Sequence, residues 1–381
     1  MKLNLRGLVF LVVMSFAIPH TAWASRARVL TMGTGDGGLL LEGQGGSLYY
    51  SDSYNIFYNP AYINDYMPWA IIEKANGSTS SNHAQGGFFT QFLLFRMGFY
   101  FNRTQPLTSG AYAYNNNGNG TATRGGTVGS AQGASNGENM TPVEFFLGGQ
   151  TTSFAWGIGL SYARHKVFTA PTHTETDTDA NLSAGFKFGD FEPFLRTKIY
   201  GRENTARNTD ASAGSFSNLK ANHFQDYLLG MRYHYGEWVP FLAGRMQKKN
   251  ALTGYTYGAG IGRTTHIAAN TNMNLSIGYW RRIIRYELNQ NRVPIDLSIE
   301  SDVLSWLTLR GGLGFLAYSR SHSVSTNDST SGRFGASLHI GQLDLDWAIG
   351  GGGTNAVENT DTTAFDSTNG FFTAASLSYK I

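Results

Sequence analysis

The residues best placed to do chemistry are charged side chains set at every second position along otherwise apolar runs. Arg96, Lys187, Arg196, Lys198, Arg202, Arg232 and Arg245 come first in the chain, and Asp296, Glu300, Asp344 and Asp346 come last. A spacing of two puts such residues on one face of a strand. If those faces converge on a water-filled lumen, a basic wall opposes an acidic one, and the transverse field orients polar solutes by charge. The competing arrangement is pairing among themselves or with another segment as buried salt bridges. Glu144, Glu192 and Asp226 sit among the bases and favour some pairing.

Other chemistries find little support. There is no cysteine, which rules out disulfides, a thiolate nucleophile and a lipid-modified cysteine. His165, His173 and His223 fall near predicted strand ends among abundant serines. A Ser–His pair without geometry identifies no nucleophile, so no enzyme is expected. Glu175, Asp177 and Asp179 alternate and could gather oxygens around calcium, but the glycine and distal glutamate of an EF-hand are missing, and a solvated strand end is the plainer reading. Gly33–Gly38 matches GxGxxG formally, yet no long helix follows, which leaves a turn-rich stretch instead of a nucleotide site. The histidines lack HExxH spacing, so neither metal nor cofactor is expected.

The elements that would carry the charges are strands. From Met67 onward, alternation with period two dominates. Phe154, Trp156, Ile158, Leu160 and Tyr162 interleave with Ser153, Ala155, Gly157, Gly159 and Ser161. The same pattern sets Val293, Ile295, Leu297 and Ile299 against Asp296, Ser298 and Glu300, and Leu343, Leu345, Trp347 and Ile349 against Asp344 and Asp346. A membrane barrel and a soluble sandwich share this alternation. Connection lengths separate them. Short turns near Gly149-Gln150, Gly189-Asp190, Gly236-Glu237, Asp302-Val303 and Gly341-Gln342 alternate with long polar connections at Thr104–Met140, Asn204–Asn218, Ser321–Ser331 and Gly352–Gly370. Short periplasmic turns and long external loops have this asymmetry. Thr104–Met140 is of low complexity, and reads as a mobile external loop or an inward-folded constriction. The expected fold is all-β: a closed antiparallel transmembrane β-barrel of about sixteen strands, with fourteen as the near alternative. Gly185–Leu195 and Gly230–Leu242 echo each other as hairpins of that barrel.

Composition and termini agree. The chain is 14 % charged and 14 % aromatic with 47 glycines, against roughly 25 % charged in soluble domains. Lys2, Arg6, the apolar run Gly7 to Ala17 and Ala22-Trp23-Ala24 form a secretory signal, so residues 1–24 are expected to be removed and the mature chain to start at Ser25. Their removal deletes two bases, and the net charge falls from +3 to +1 (3 − 2). That balance gives no reason to expect nucleic acid as a partner. Export without disulfides fits a Gram-negative envelope. Residues 25–66 form an N-terminal periplasmic or plug segment, and residues 67–381 the barrel.

The last strand, with Phe371, Thr373, Ala375, Leu377, Tyr379 and Ile381 on one face, resembles the C-terminal assembly signal of bacterial outer-membrane barrels, although those usually end in Phe or Trp. Asn59-Pro60-Ala61, preceded by a glycine-rich stretch, Asp52, Asn55 and Tyr58, resembles the N-terminal segment of the FadL-like barrel superfamily, which folds inside or beneath the barrel. The opposed charges resemble the constriction of a general porin. These resemblances imply residence in the bacterial outer membrane, among outer-membrane lipid and lipopolysaccharide, with the barrel-assembly machinery reading the last strand. They imply porin-like passive diffusion of small solutes; the alternatives are FadL-like transport of hydrophobic compounds, or a structural or surface-interaction barrel. A homo-oligomer is left open, since no strand shows a surface that clearly faces protein instead of lipid.

Overall fold

Each strand pairs antiparallel with the next, and the last pairs with the first, which leaves no open edge. The computed structural model describes residues 25–33, 40, 46–66, 68–76, 84–103, 138–170, 173–207, 222–249, 252–284, 288–320, 329–352 and 371–381. The strands are β1 Trp69–Asn76, β2 Gln85–Phe92, β3 Phe95–Phe101, β4 Glu138–Gln150, β5 Phe154–Ala170, β6 His173–Phe188, β7 Phe191–Arg207 and β8 Asn222–Tyr233. They continue with β9 Trp238–Lys249, β10 Leu252–Ala268, β11 Thr271–Ile284, β12 Leu288–Leu304, β13 Leu307–Arg320, β14 Ser329–Ile340, β15 Leu343–Gly352 and β16 Phe371–Lys380. The seam runs from Trp69 opposite Lys380 to Asn76 opposite Thr373. Sixteen strands settle the count against fourteen.

Period-two alternation makes each strand two-faced. On β8, Tyr227, Leu229, Met231 and Tyr233 are exposed, while Asp226, Leu228 and Arg232 between them are buried. On β16, Leu377 and Tyr379 face outward, whereas Phe372, Ala374, Ser376 and Ser378 face the interior. A soluble sandwich would bury the aromatic face; here it forms the outer surface. Such a closed wall is stable only where lipid covers it. Phe188, Phe191, Tyr233, Trp238 and Tyr379 lie outward at the short-turn end, and Tyr162, Tyr200, Tyr255, Tyr257, Tyr279 and Tyr318 lie outward toward the other. These are the two interfacial belts of a bilayer-spanning barrel.

Tight turns join the strands at one end. Gly189 and Gly341 open two of them at φ of +57° and +63°, a conformation that costs a glycine nothing. Two turns lie a little later than the sequence suggests. β4 continues through Gly149-Gln150, and β12 continues through Asp302-Val303 to Leu304 before Ser305 and Trp306 turn. In both places the polar residues that read as a turn are absorbed into the rim of the strand. Most of the long connections, and residues 1–24, lie outside the described residues.

The interior holds the described part of the chain that precedes β1. Ser25 caps a short helix, α1 (Arg26–Met32), and two 3-10 turns follow at Ser53–Phe57 and Pro60–Asn64. Asp52 caps the first turn by accepting from Asn55 N at 3.1 Å, and Asn59 caps the second by accepting from Ala61 N at 3.1 Å. Pro60 follows Asn59 at the first helical position, where its missing N–H costs no bond. Every residue of these three elements is buried.

Candidate functional site

The site is the lumen, and the N-terminal segment occupies it. α1 packs against β12 to β16 and β1, while the turn Pro60–Asn64 packs against β3 to β6. Tyr49, Tyr54, Phe57 and Tyr58 share one apolar cluster with Tyr100, Phe146, Phe194, Phe241 and Trp280 of the wall. Phe57 meets Tyr100 and Phe146 edge-on at 5.2 and 5.8 Å, and Arg103 lies 3.9 Å from its ring centre on the cation–π side. The plug is thus a core of its own, with the barrel wall as its other half.

Asn59-Pro60-Ala61 comes close to the wall backbone. Asn59 donates to Phe186 O at 3.1 Å, and Asn64 donates to Trp156 O at 2.9 Å. A Cβ on Gly157 would overlap the Pro60 carbonyl, and one on Gly185 would overlap the Asn59 side chain. Bare backbone at these two wall positions is what lets the turn seat. Gly157→Val is therefore expected to displace the turn and to raise the rate at which soluble protease cuts residues 46–66 by more than about tenfold, with the folded barrel intact. Unchanged protection would show that the turn does not seat there.

The inward charges expected from the sequence, Arg202 aside, do face the lumen, and most are held in pairs. Lys187 binds Asp65 of the plug at 2.6 Å and lies 4.4 Å from the Tyr62 ring centre. Arg96 donates to Tyr66 O. Arg232 binds Glu192 at 2.7 Å, the Tyr62 hydroxyl, and the carbonyls of Ser47 and Tyr50 at 3.2 and 3.1 Å. Arg245 holds Asp226 in a two-bond fork and donates to Leu40 O at 2.7 Å. Lys198 binds Asp179 at 2.7 Å. Arg196 lies beside Phe57, Glu144, Asn181 and Ser183, and the Arg202 side chain lies outside the described residues.

On the later wall, Glu300 accepts from Arg28 of the plug at 2.8 and 3.0 Å and also from Arg310. Arg310 reaches on to Asp346 at 3.3 Å and to Ser337. Asp296 pairs with Arg333 at 2.5 Å, and Asp344 with His339 at 2.7 Å and Lys380 at 3.0 Å. The expected division into a basic and an acidic wall is therefore corrected. Arg310 and Arg333 stand among the later acids, and Glu144, Asp179, Glu192 and Asp226 among the earlier bases. Arg310 and Arg333 were legible as inward positions of alternating strands. Arg28 was not, because nothing in the sequence says which face of α1 meets which wall residue.

Asp52 is the plug's titratable weak point. It is 3 % exposed, its Oδ1 caps a turn, and its Oδ2 has no hydrogen-bond partner among the described residues. Burial raises its carboxyl from 3.8 to about 6, against the pull of Arg28 and Arg232. The docked segment therefore binds a proton that a released one, with an ordinary carboxyl, does not bind between about pH 4 and 6. Docking strengthens as pH falls through 6 and levels off below 4, by a total on the order of 3 kcal/mol from this group. Asp65 is also raised by burial and has the same sign. Hydrogen exchange of residues 46–66 should slow between pH 7.5 and 5 after correction for the intrinsic rate. Asp52→Asn, which keeps the cap, should remove most of that dependence.

The wall has one irregular place. β7 carries an extra residue against β6, with Ala180 opposite Tyr200 but Asn181 opposite Lys198, so that Ile199 and Tyr200 both face outward. Pairing of β7 with β8 stops after Thr197–Tyr227 and resumes at Arg202–His223. Beside the break, an apolar cleft of about 450 Å³ is lined by Leu195, Tyr227, Leu229, Met246, Tyr255 and Tyr257, with Gly244 among them.

No protein-family model matches this sequence, and no curated protein matches it. Among solved structures, a bacterial polysaccharide outer membrane secretin is similar, with a TM-score of 0.52 and 7 % identity over 83 % of this chain and 98 % of that one. CdiB from Acinetobacter baumannii aligns with a TM-score of 0.49 and 8 % identity over 82 % of this chain and 59 % of that one. The first likeness shows the fold, that of a bacterial outer-membrane barrel, and nothing of cargo.

Proposed function

We propose that this outer-membrane barrel is a channel for small polar solutes, normally obstructed by its own residues 25–66, and that solutes pass when that segment moves. The supporting observation is the polar latch. Arg28 on Glu300, Lys187 on Asp65 and Arg232 on Tyr62 and on the carbonyls of Ser47 and Tyr50 are contacts between the plug and the wall. They are directional bonds in a low-dielectric place, cooperative when made and replaceable by water when broken. A segment that only filled a structural void would do so with apolar groups, as the Phe57 cluster does. Behind the plug, the lumen wall keeps its own pairs, Arg245 with Asp226 and Arg310 with Asp346, so a vacated lumen would be lined by both signs of charge.

In planar bilayers the full chain should be mostly closed with brief openings, and a chain lacking residues 25–66 should conduct steadily. Absence of conductance from both would end the channel reading. The proposal involves passage without bond chemistry, and so no catalytic residue. Outer-leaflet lipid and lipopolysaccharide around the aromatic belts, and the assembly machinery at β16, are the partners this placement proposes.

A second reading, transport of apolar compounds, is favoured by the break between β7 and β8 and the apolar cleft beside it. It differs in its exit, sideways into lipid. Closing the break with a cysteine pair across β7 and β8 should stop uptake of an apolar probe and leave ionic conductance unchanged if this reading holds.

A further inference from the structure

Glu73 on β1 is 1 % exposed and lies within the barrel seam. Its Oε1 accepts from the hydroxyls of Tyr54 and Tyr100 and from Gln85 at 3.4 Å; its Oε2 accepts from the backbone N–H of Arg26 at 2.7 Å and from Ser376 at 3.2 Å. All these donors are neutral. Every other lumen carboxylate described above, apart from Asp52, has a guanidinium, ammonium or imidazole within 4 Å. A buried carboxylate without a counter-charge is costly even when fully hydrogen-bonded.

One cation is missing from that count. Ser25, 1 % exposed, immediately precedes the amide that already binds Glu73. Consecutive backbone nitrogens lie within about 4 Å of each other. The Ser25 hydroxyl and carbonyl are also committed, to Arg28 N at 3.1 Å and Val29 N at 3.0 Å, which fixes the residue at the start of α1. The sequence independently puts a small-residue cleavage site at Ala22-Trp23-Ala24.

We propose that the mature chain begins at Ser25 and that its α-ammonium is the counter-ion of Glu73, so that removal of the leader completes the docking of the plug. In the cleavage step an envelope endopeptidase adds water across the Ala24–Ser25 peptide bond. The Ala24 carbonyl becomes a carboxylate, and the Ser25 nitrogen leaves as an amine that takes up a proton. The charge created lies one residue from a carboxylate that has no ion-pair partner among the described residues. Export and plug assembly are thereby linked: a chain still carrying its leader has an uncharged amide at Ser25, and its plug is held less tightly. This inference concerns how the plug is seated and does not depend on what the channel passes.

The test uses full-length protein purified from membranes. Its intact mass should correspond to a chain starting at Ser25. Inserting two glycines after Ala24 keeps the cleavage motif and every side chain but carries the ammonium two residues away. This variant, and separately Glu73→Gln, should each speed tryptic cleavage after Arg28 by at least about tenfold. The two changes together should do no more than Glu73→Gln alone, because the bond that the insertion removes is among those that Glu73→Gln removes. Heat-modifiable gel mobility reports that each barrel is folded, and the insertion variant keeps the test valid if Glu73→Gln does not fold. A different starting residue, wild-type protection in the insertion variant, or additive effects would each overturn the proposal.

Discussion

Replacing Glu300 with glutamine should turn a mostly closed channel into a mostly open one. Glu300 is the anion between Arg28 of the plug and Arg310 of the wall, with Arg28 held by two bonds of 2.8 and 3.0 Å. A carboxamide has one acceptor oxygen and no charge, so it cannot hold both guanidiniums. The loss falls unequally on the two states. In the docked state Arg28 stays buried without its anion; in the released state water solvates it. Breaking a buried pair by removing one partner costs roughly 3–5 kcal/mol, which weakens docking by about two to three and a half orders of magnitude. Arg310 keeps Asp346 at 3.3 Å in either state, so the wall itself should survive. Single-channel open probability is the readout. Glu237→Gln is the matched control, because the Glu237–Arg263 pair at the short-turn rim is 42 and 43 % exposed and such pairs contribute little. Equal open probabilities for Glu300→Gln and the control would show that the latch does not hold the plug.

Much of the architecture was legible because its signal is local. Alternation such as that of Phe154 to Tyr162 needs only neighbouring residues, and the terminal strand Phe371–Lys380 closes on β1 in the register its outward face requires. The repeated hairpins appear as β6–β7 and β8–β9. Turn positions such as Asp302-Val303 were misplaced because polar residues at a barrel rim satisfy a strand and a turn equally well. The β7 irregularity could not be read, since a bulge is a relation between two strands and leaves no mark on one.

The lumen was legible in its membership and not in its pairing. Period two places Arg232 and Glu192 inward, but only the register of β7 on β8 puts them directly opposite each other. The plug follows a weaker grammar. Asn59-Pro60-Ala61 announces a capped turn, yet its seat on Gly157 and Gly185 depends on two glycines about a hundred residues away that look like any others in the strands. Arg28 lies in a short helix with no acidic neighbour in sequence, so Glu300 could be found only in three dimensions.

Stapling the plug tests the account most directly. A Cβ at Gly335 on β14 would lie 3.3 Å from Thr31 Cβ of α1, a little under the separation of about 3.8 Å that a disulfide prefers, and 2.9 Å from Trp347 O, so β14 must shift slightly to accept it. The chain has no cysteine, so Thr31→Cys with Gly335→Cys makes a single bond that can be switched by reductant. Conductance of this variant across a planar bilayer, before and after reduction, is the measurement. The account predicts no openings while the disulfide is intact and channel openings once it is reduced, with each single-cysteine variant indifferent to reductant. Openings of the same size and frequency with the disulfide intact would contradict it, because solute would then be passing a plug that cannot move.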